Sequence, residues 1–134
     1  MKHEEIIKKI SPVVLRVAMA LVFLWFGLNQ VFDTDSWIFF LPEFLRNYVQ
    51  EPAMLVFMNG IVEIFLGTFL LVGVYVRFSA FVLAINLSAI VIAVGYNSVG
   101  VRDFGLAVAT FAIALNGSDF FSFDEYFKRK NKDL

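Results

Sequence analysis

Apolar residues along this chain come in long blocks, not at the intervals of a soluble domain. Val13 to Phe32 is 20 residues with Arg16 as its one charge. Ala53 to Val76 is 24 residues with Glu63 as its one charge, and Phe78 to Val101 is 24 with none. Phe104 to Leu115 has 12 uncharged residues, and the block reaches 18 only when counted from Val99 to Asn116. A helix rising 1.5 Å per residue needs about 20 residues to cross about 30 Å of hydrocarbon. The first three blocks meet this outright. The fourth does so with Arg102-Asp103 at its boundary. None alternates polar and apolar positions as a barrel strand must, and helices satisfy their own backbone in lipid. The pattern predicts an all-α fold, a transmembrane four-helix bundle in a single domain over 1–134. Its spans lie at about 12–32, 52–73, 77–95 and 101–116, and an amphipathic, basic tail covers 119–134.

The boundaries have local causes. Ser11-Pro12 and Glu51-Pro52 predict helix starts with proline at the first helical position. Gly73 and the following Val74-Tyr75-Val76 predict a tight turn before Arg77. Gly95 to Gly100 is turn-rich, and Asn116-Gly117-Ser118 ends the fourth span with a glycine able to take the left-handed conformation. With four spans, both termini and the second connection share one side. That side carries eight Lys and Arg residues against Arg46 and Arg102 on the other. The bias predicts cytoplasmic termini. The first apolar run is longer than a leader's, and Ala18-Met19-Ala20 falls inside it, so the N-terminal segment reads as a span and not a cleaved signal.

Composition agrees and narrows the chemistry. The chain is 60% hydrophobic and 17% charged over 134 residues, against about 25% charged in ordinary soluble domains. It has no Cys, and its single histidine is His3. Thiol redox chemistry, Fe–S clusters, cysteine–zinc sites and bis-histidine haem are excluded. The net charge of −1 argues against nucleic acid as a partner. No catalytic constellation, phosphate-binding loop or metal cluster emerges.

Two flanking segments read as interfacial: Trp37 to Pro42 between the first two spans, and Phe120 to Phe127 followed by Lys128-Arg129-Lys130. Aromatics at headgroup depth and a basic cluster beyond them suit a membrane surface. The first of these could also be a lid over an outer-side cavity.

Ionisable groups inside a bilayer need a partner or a purpose. Glu63 lies near the centre of the second span, with Asn59 and Gly67 one turn away on its face. Arg16, Ala20, Phe23, Gly27 and Gln30 form one small and polar stripe on the first span, which should face inward. Asn86 is the strongly polar buried group of the third span, whose Ala80, Ala84 and Ser88 form a packing seam. The candidate intramembrane polar site is therefore Arg16, Asn59, Glu63 and Asn86. Arg16 and Glu63 differ by roughly 10–15 Å in depth. Either they form an ion pair, direct or through water, or Arg16 snorkels to the headgroups and a protonated Glu63 bonds to Asn86 or Asn59. A candidate outer-side pocket combines Asn29, Gln30, Arg102 and Asp103.

These residues line up with a known pattern. Leu15-Arg16, Leu21 to Gly27, Gly60 to Gly67, Leu70 to Gly73, Arg77, Arg102-Asp103-Phe104, Asn116-Gly117 and Ser122-Phe123-Asp124 together resemble the DoxX-like membrane proteins over roughly residues 13 to 124. Family members often carry a lysine shortly after the first-span glycine, where this chain has Asn29 and Gln30. The resemblance implies a multi-pass protein of a prokaryotic plasma membrane. It also implies a non-haem subunit of a quinone-linked oxidoreductase or redox-associated complex, as in thiosulfate:quinone oxidoreductase. Quinone would then be the cofactor, and a membrane or redox protein the partner. Other branches imply a scaffold, cargo receptor or assembly chaperone. A small-solute carrier is a third reading and would need a homodimer.

Overall fold

The computed structural model describes residues 2–133, which hold helices and no strand. Helix α1 (Lys2–Phe32) starts well before Pro12, where the capping pattern predicts its beginning. Pro12 removes one backbone donor, yet the helix continues through it. Glu4 and Glu5 occupy the first turn, where acids favour the helix dipole. Its 31 residues give about 46 Å of length, so the exposed, charged first turns project beyond the hydrocarbon.

After Asp33 the chain forms α2 (Thr34–Trp37), one 3₁₀ turn (Ile38–Phe40) and α3 (Glu43–Tyr48). These segments do not span. Trp37 sets its ring edge-on against Trp25 and Phe26, with centroids 6.5 Å from Trp25 and 5.7 Å from Phe26. The segment thereby closes one end of the bundle, touching α4 (Pro52–Val72) and α5 (Val76–Val94). α6 (Ser98–Asn116) completes the four spans, and α7 (Phe123–Lys132) follows on the side of the N-terminus. Pro52 opens α4 as predicted. Asn97 caps α6, its Oδ1 accepting from the Gly100 N–H at 2.9 Å.

The bundle is two antiparallel pairs, α1 with α4 and α5 with α6. A Cβ on Gly27 would lie 2.8 Å from the Gly60 carbonyl oxygen, and one on Gly60 would lie 2.9 Å from that of Gly27. The two backbones touch there, as small residues permit in lipid. Between the pairs sits a core of Met19, Ala20, Phe23, Leu66, Leu70, Leu83, Leu87 and Ile113, with Ala80 of the third-span seam. The stripe Arg16, Ala20, Phe23, Gly27 and Gln30 is buried along its whole length. Only about a third of each span is buried within the protein. Phe65, Phe78, Ile85, Ile92 and Phe104 point outward, an apolar surface that lipid must cover. This is an integral, multi-pass membrane protein.

Candidate functional site

The polar residues separate into two clusters at different depths. The deeper one forms around Glu63, near the midpoint of α4 and 1% exposed. Its Oε2 accepts from the Gln30 side-chain amide at 2.8 Å. Its Oε1 accepts from Asn59 at 3.1 Å and from Asn86 at 3.3 Å. Asn59 also donates to Gln30 Oε1 at 2.8 Å. The Gly27–Gly60 contact makes this possible, because short amide side chains bridge α1 and α4 only where the backbones are close. All donors to Glu63 are neutral amides. No cationic side chain forms a salt bridge with Glu63 among the described residues.

Arg16 does not join this cluster, and the Arg16–Glu63 pair is not formed. Arg16 instead donates from Nε to Asp119 Oδ2 at 2.5 Å and from Nη2 to Oδ1 at 3.2 Å. Its Nη1 donates to the Leu70 and Leu71 carbonyls, both at 2.7 Å, which are orphan acceptors of the last turn of α4. The Arg16 and Asp119 side chains are 3% and 2% exposed, so Arg16 does not snorkel to the surface either. The depth difference explains the outcome: Asp119 lies at the same end of the bundle as Arg16, and Glu63 lies much deeper.

Asp119 organises the rest of that end. Its Oδ1 accepts from the Phe121 N–H, and its carbonyl accepts from the Ser122 hydroxyl. Asp124 then accepts from the Tyr75 and Val76 N–H groups, both at 3.0 Å, and its own N–H donates to the Gly73 carbonyl. The turn needs this support. Gly73 and Tyr75 both take left-handed conformations, with φ of 84° and 48°, and tyrosine does so at a cost. A Cβ on Gly117 would collide with the Arg77 side chain. The scattered motif residues Arg16, Gly73, Arg77, Asn116-Gly117 and Ser122-Phe123-Asp124 thus meet in one lock.

The expected outer-side pocket is divided. Gln30 belongs to the Glu63 cluster. Asn29 is exposed and donates back to the Trp25 carbonyl at 2.7 Å. Arg102 and Asp103 do pair, Nε to Oδ1 at 2.8 Å, with Arg102 half exposed and Asp103 buried. The Arg102 guanidinium sits 5.9 Å from the Phe26 ring centre. It edges a groove of about 400 Å³ between α1 and α6, lined by Leu21, Val22, Trp25, Phe26, Arg102 and Leu106. A second cavity of about 240 Å³ opens between the same helices near Arg16 and Asp119. Neither is lined by Glu63. No group of three or more metal-ligating side chains occurs among the described residues.

Sequence reasoning missed Asp119 as a site residue. The available signal was topological: four spans place Asp119 and Arg16 at the same membrane face.

The DoxX family model matches residues 11–96, from the start of the membrane part of α1 through α5. The resembling residues of α6 and the tail lie beyond that match. No curated protein and no solved structure shows significant similarity to the chain.

Proposed function

The chain belongs to the DoxX family, and on that premise we propose that it is the non-haem membrane subunit of a quinone-linked oxidoreductase. The observation that carries this reading is the α1/α6 groove. It opens to lipid, offers the Trp25 and Phe26 rings, and ends on one cation, Arg102, paired to the buried acid Asp103. A volume of about 400 Å³ suits a small ring system, and apolar walls with a few placed polar groups are what such ligands use. These residues fit a quinone.

A quinone supplies two-electron, two-proton chemistry when bound. The chain's own part is to bind and to handle protons. Arg102 uses Nε for Asp103, which leaves its terminal nitrogens as donors to a ligand carbonyl oxygen. Trp25 and Phe26 give the groove an aromatic wall for a ring to lie against. Asp103 Oδ1, bonded to Arg102 at the edge of the groove, is the carboxylate oxygen placed to take up a proton there. With no Cys and only His3, the chain holds no redox group of its own, so electrons must arrive from a partner. The basic bias around the termini supports a cytoplasmic placement for that side.

The test is gentle purification followed by mass spectrometry of bound lipid-soluble molecules and proteins. A quinone and a partner bearing a redox centre are expected. Arg102→Gln should lower the retained quinone severalfold while circular dichroism shows the helices kept. Absence of quinone from the purified protein, or full retention by the variant, overturns the reading.

One observation favours a scaffold instead. Gly105 on α6 faces outward with nothing near it, and exposed Val101, Val108 and Ala112 share its side. Such a surface admits a neighbouring helix closely. A redox-silent membrane protein as the co-purifying partner, with Glu63→Gln without effect, would favour that function.

A further inference from the structure

A second feature of α1, α6 and α7 is independent of the groove at Arg102. At the end of the bundle that carries both termini, two cations from different helices converge on one ring. Lys9 Nζ of α1 lies 5.4 Å from the Phe120 ring centre, and the Arg129 guanidinium of α7 lies 4.2 Å from it. Arg129 has one acidic neighbour, Glu125, at 3.6 Å. No acidic side chain forms a salt bridge with Lys9 among the described residues. Beside this pair, in chain and in space, opens the cavity of about 240 Å³ between α1 and α6. Pro12, Leu15, Ala112 and Ile113 give it apolar lining, and Ser11 and Asn116 give it polar groups. The charges that line it are already matched, Arg16 by Asp119.

Ring contact draws cations to an aromatic face, and two cations within 5.4 Å of one ring centre concentrate positive charge that an anion would neutralise. An anion alone would not need the apolar cavity next to it. The combination fits a molecule with a phosphate at headgroup depth and an acyl chain running along the helices.

We propose that Lys9, Arg129 and the α1/α6 cavity form a specific site for an anionic phospholipid. The phosphate lies between the Lys9 ammonium and the Arg129 guanidinium, and the first part of an acyl chain lies against Leu15 and Ala112. The site ties α7 to α1 through the lipid and so fixes the basic tail on the membrane surface. Juxtamembrane cations attract anionic lipid in general. What distinguishes this site is that two particular cations carry the binding, and the other basic residues of the same face do not.

The experiment uses the full chain in mild detergent and native mass spectrometry, titrated with dioleoyl phosphatidylglycerol, dioleoyl phosphatidylcholine and soluble glycerol 3-phosphate. One phosphatidylglycerol is expected to bind tightly, with phosphatidylcholine weaker by about tenfold or more, since each cation near the surface matters. Glycerol 3-phosphate at millimolar concentration should not displace it. Lys9→Gln with Arg129→Gln should weaken phosphatidylglycerol binding by roughly tenfold or more, given two cations lost. Lys2→Gln with Lys132→Gln, the same change of charge elsewhere on that face, should leave it within about twofold, both positions being outside the ring contact. Ala112→Trp fills the cavity and should weaken the lipid while leaving both cations in place. Circular dichroism checks that each variant keeps its helices. Equal binding of the two lipids, displacement by glycerol 3-phosphate, or equal losses in the two charge variants overturns the proposal. Unchanged affinity in Ala112→Trp overturns it as well.

Discussion

Replacing Asp119 by alanine is expected to destabilise the bundle by about 3–5 kcal/mol, the range for removing one partner of a buried ion pair. The structure supports the upper half of that range. Arg16 and Asp119 are 3% and 2% exposed at their side chains, so water cannot take over the role of the lost carboxylate. Two charge-assisted bonds disappear, each worth about 1.5–3 kcal/mol, and the Phe121 N–H loses its acceptor. The Leu70 and Leu71 carbonyls still accept from Nη1, which softens the loss. Arg16→Met combined with Asp119→Ala removes the stranded charge and should recover part of the stability, because an apolar replacement of a buried pair is often close to neutral. Arg16→Lys should not rescue the site, since an ammonium cannot reproduce the two-point contact. Unfolding of the purified protein in mixed micelles, followed by circular dichroism, gives the comparison. If Asp119→Ala stays within about 1 kcal/mol of wild type, a value typical of exposed pairs, the pair is solvated and this account of the lock is wrong.

Other expectations follow from the same contacts. Gly27→Ala should cost about 1–3 kcal/mol, because its Cβ meets the Gly60 carbonyl oxygen at 2.8 Å; Gly105→Ala, with nothing within 4 Å, should be neutral or stabilising in the same unfolding assay. Asp124→Ala should cost about 1–3 kcal/mol per stranded donor at Tyr75 and Val76, and hydrogen exchange should rise first in the Gly73–Val76 turn. Because the chain has no cysteine, single substitutions Lys2→Cys, Arg46→Cys, Ser98→Cys and Lys130→Cys report topology directly. Positions 2 and 130 should label from one side of the membrane and 46 and 98 from the other, and labelling of 2 and 130 from opposite sides would refute the four-span topology.

Much of the fold was legible in the sequence because its signals are long. Blocks of 20 and 24 apolar residues leave few alternatives in lipid, and the proline and glycine boundaries of α4 fall where the chain marks them. The start of α1 was misread because Pro12 resembles a helix start. The charged residues before it continue the same helix into the headgroup region, where a missing backbone bond can be met by water. The inward stripe of α1 was legible from spacing alone. A bond from Glu63 to Asn59 or Asn86 is one of two readings the sequence leaves open, the Arg16 pair being the other, and the structure has the bonds to both amides. Partner choice among the charges was not. A periodicity argument says which face a side chain occupies, but Arg16 found its acid on a segment beyond the last span, outside any periodic pattern. Gln30 illustrates the reverse case. Its position near the end of α1 suggests the outer pocket, yet its amide bonds to Glu63 at 2.8 Å.

The contrast between the two clusters bears on which of them exists for stability. At Arg16 every nitrogen has a partner: two bonds to Asp119, two to the end of α4, and Asp119 in turn holding Phe121. Removing any member leaves a cost, and structure alone accounts for each. Glu63 is different. Its three donors are uncharged amides, no cation forms a salt bridge with it among the described residues, and it sits at the depth where a carboxyl group costs most. A glutamine or leucine there would satisfy packing at lower cost, since no cation depends on the acid. Three helices nonetheless each contribute an amide to it, Gln30 from α1, Asn59 from α4 and Asn86 from α5, and two glycines bring the backbones close enough for them to reach. Packing explains the glycines, and satisfying the acid explains the amides, but neither explains the acid. That remainder is the physical case for Glu63 as a working group, and it turns on Glu63→Gln leaving the fold intact while the function fails.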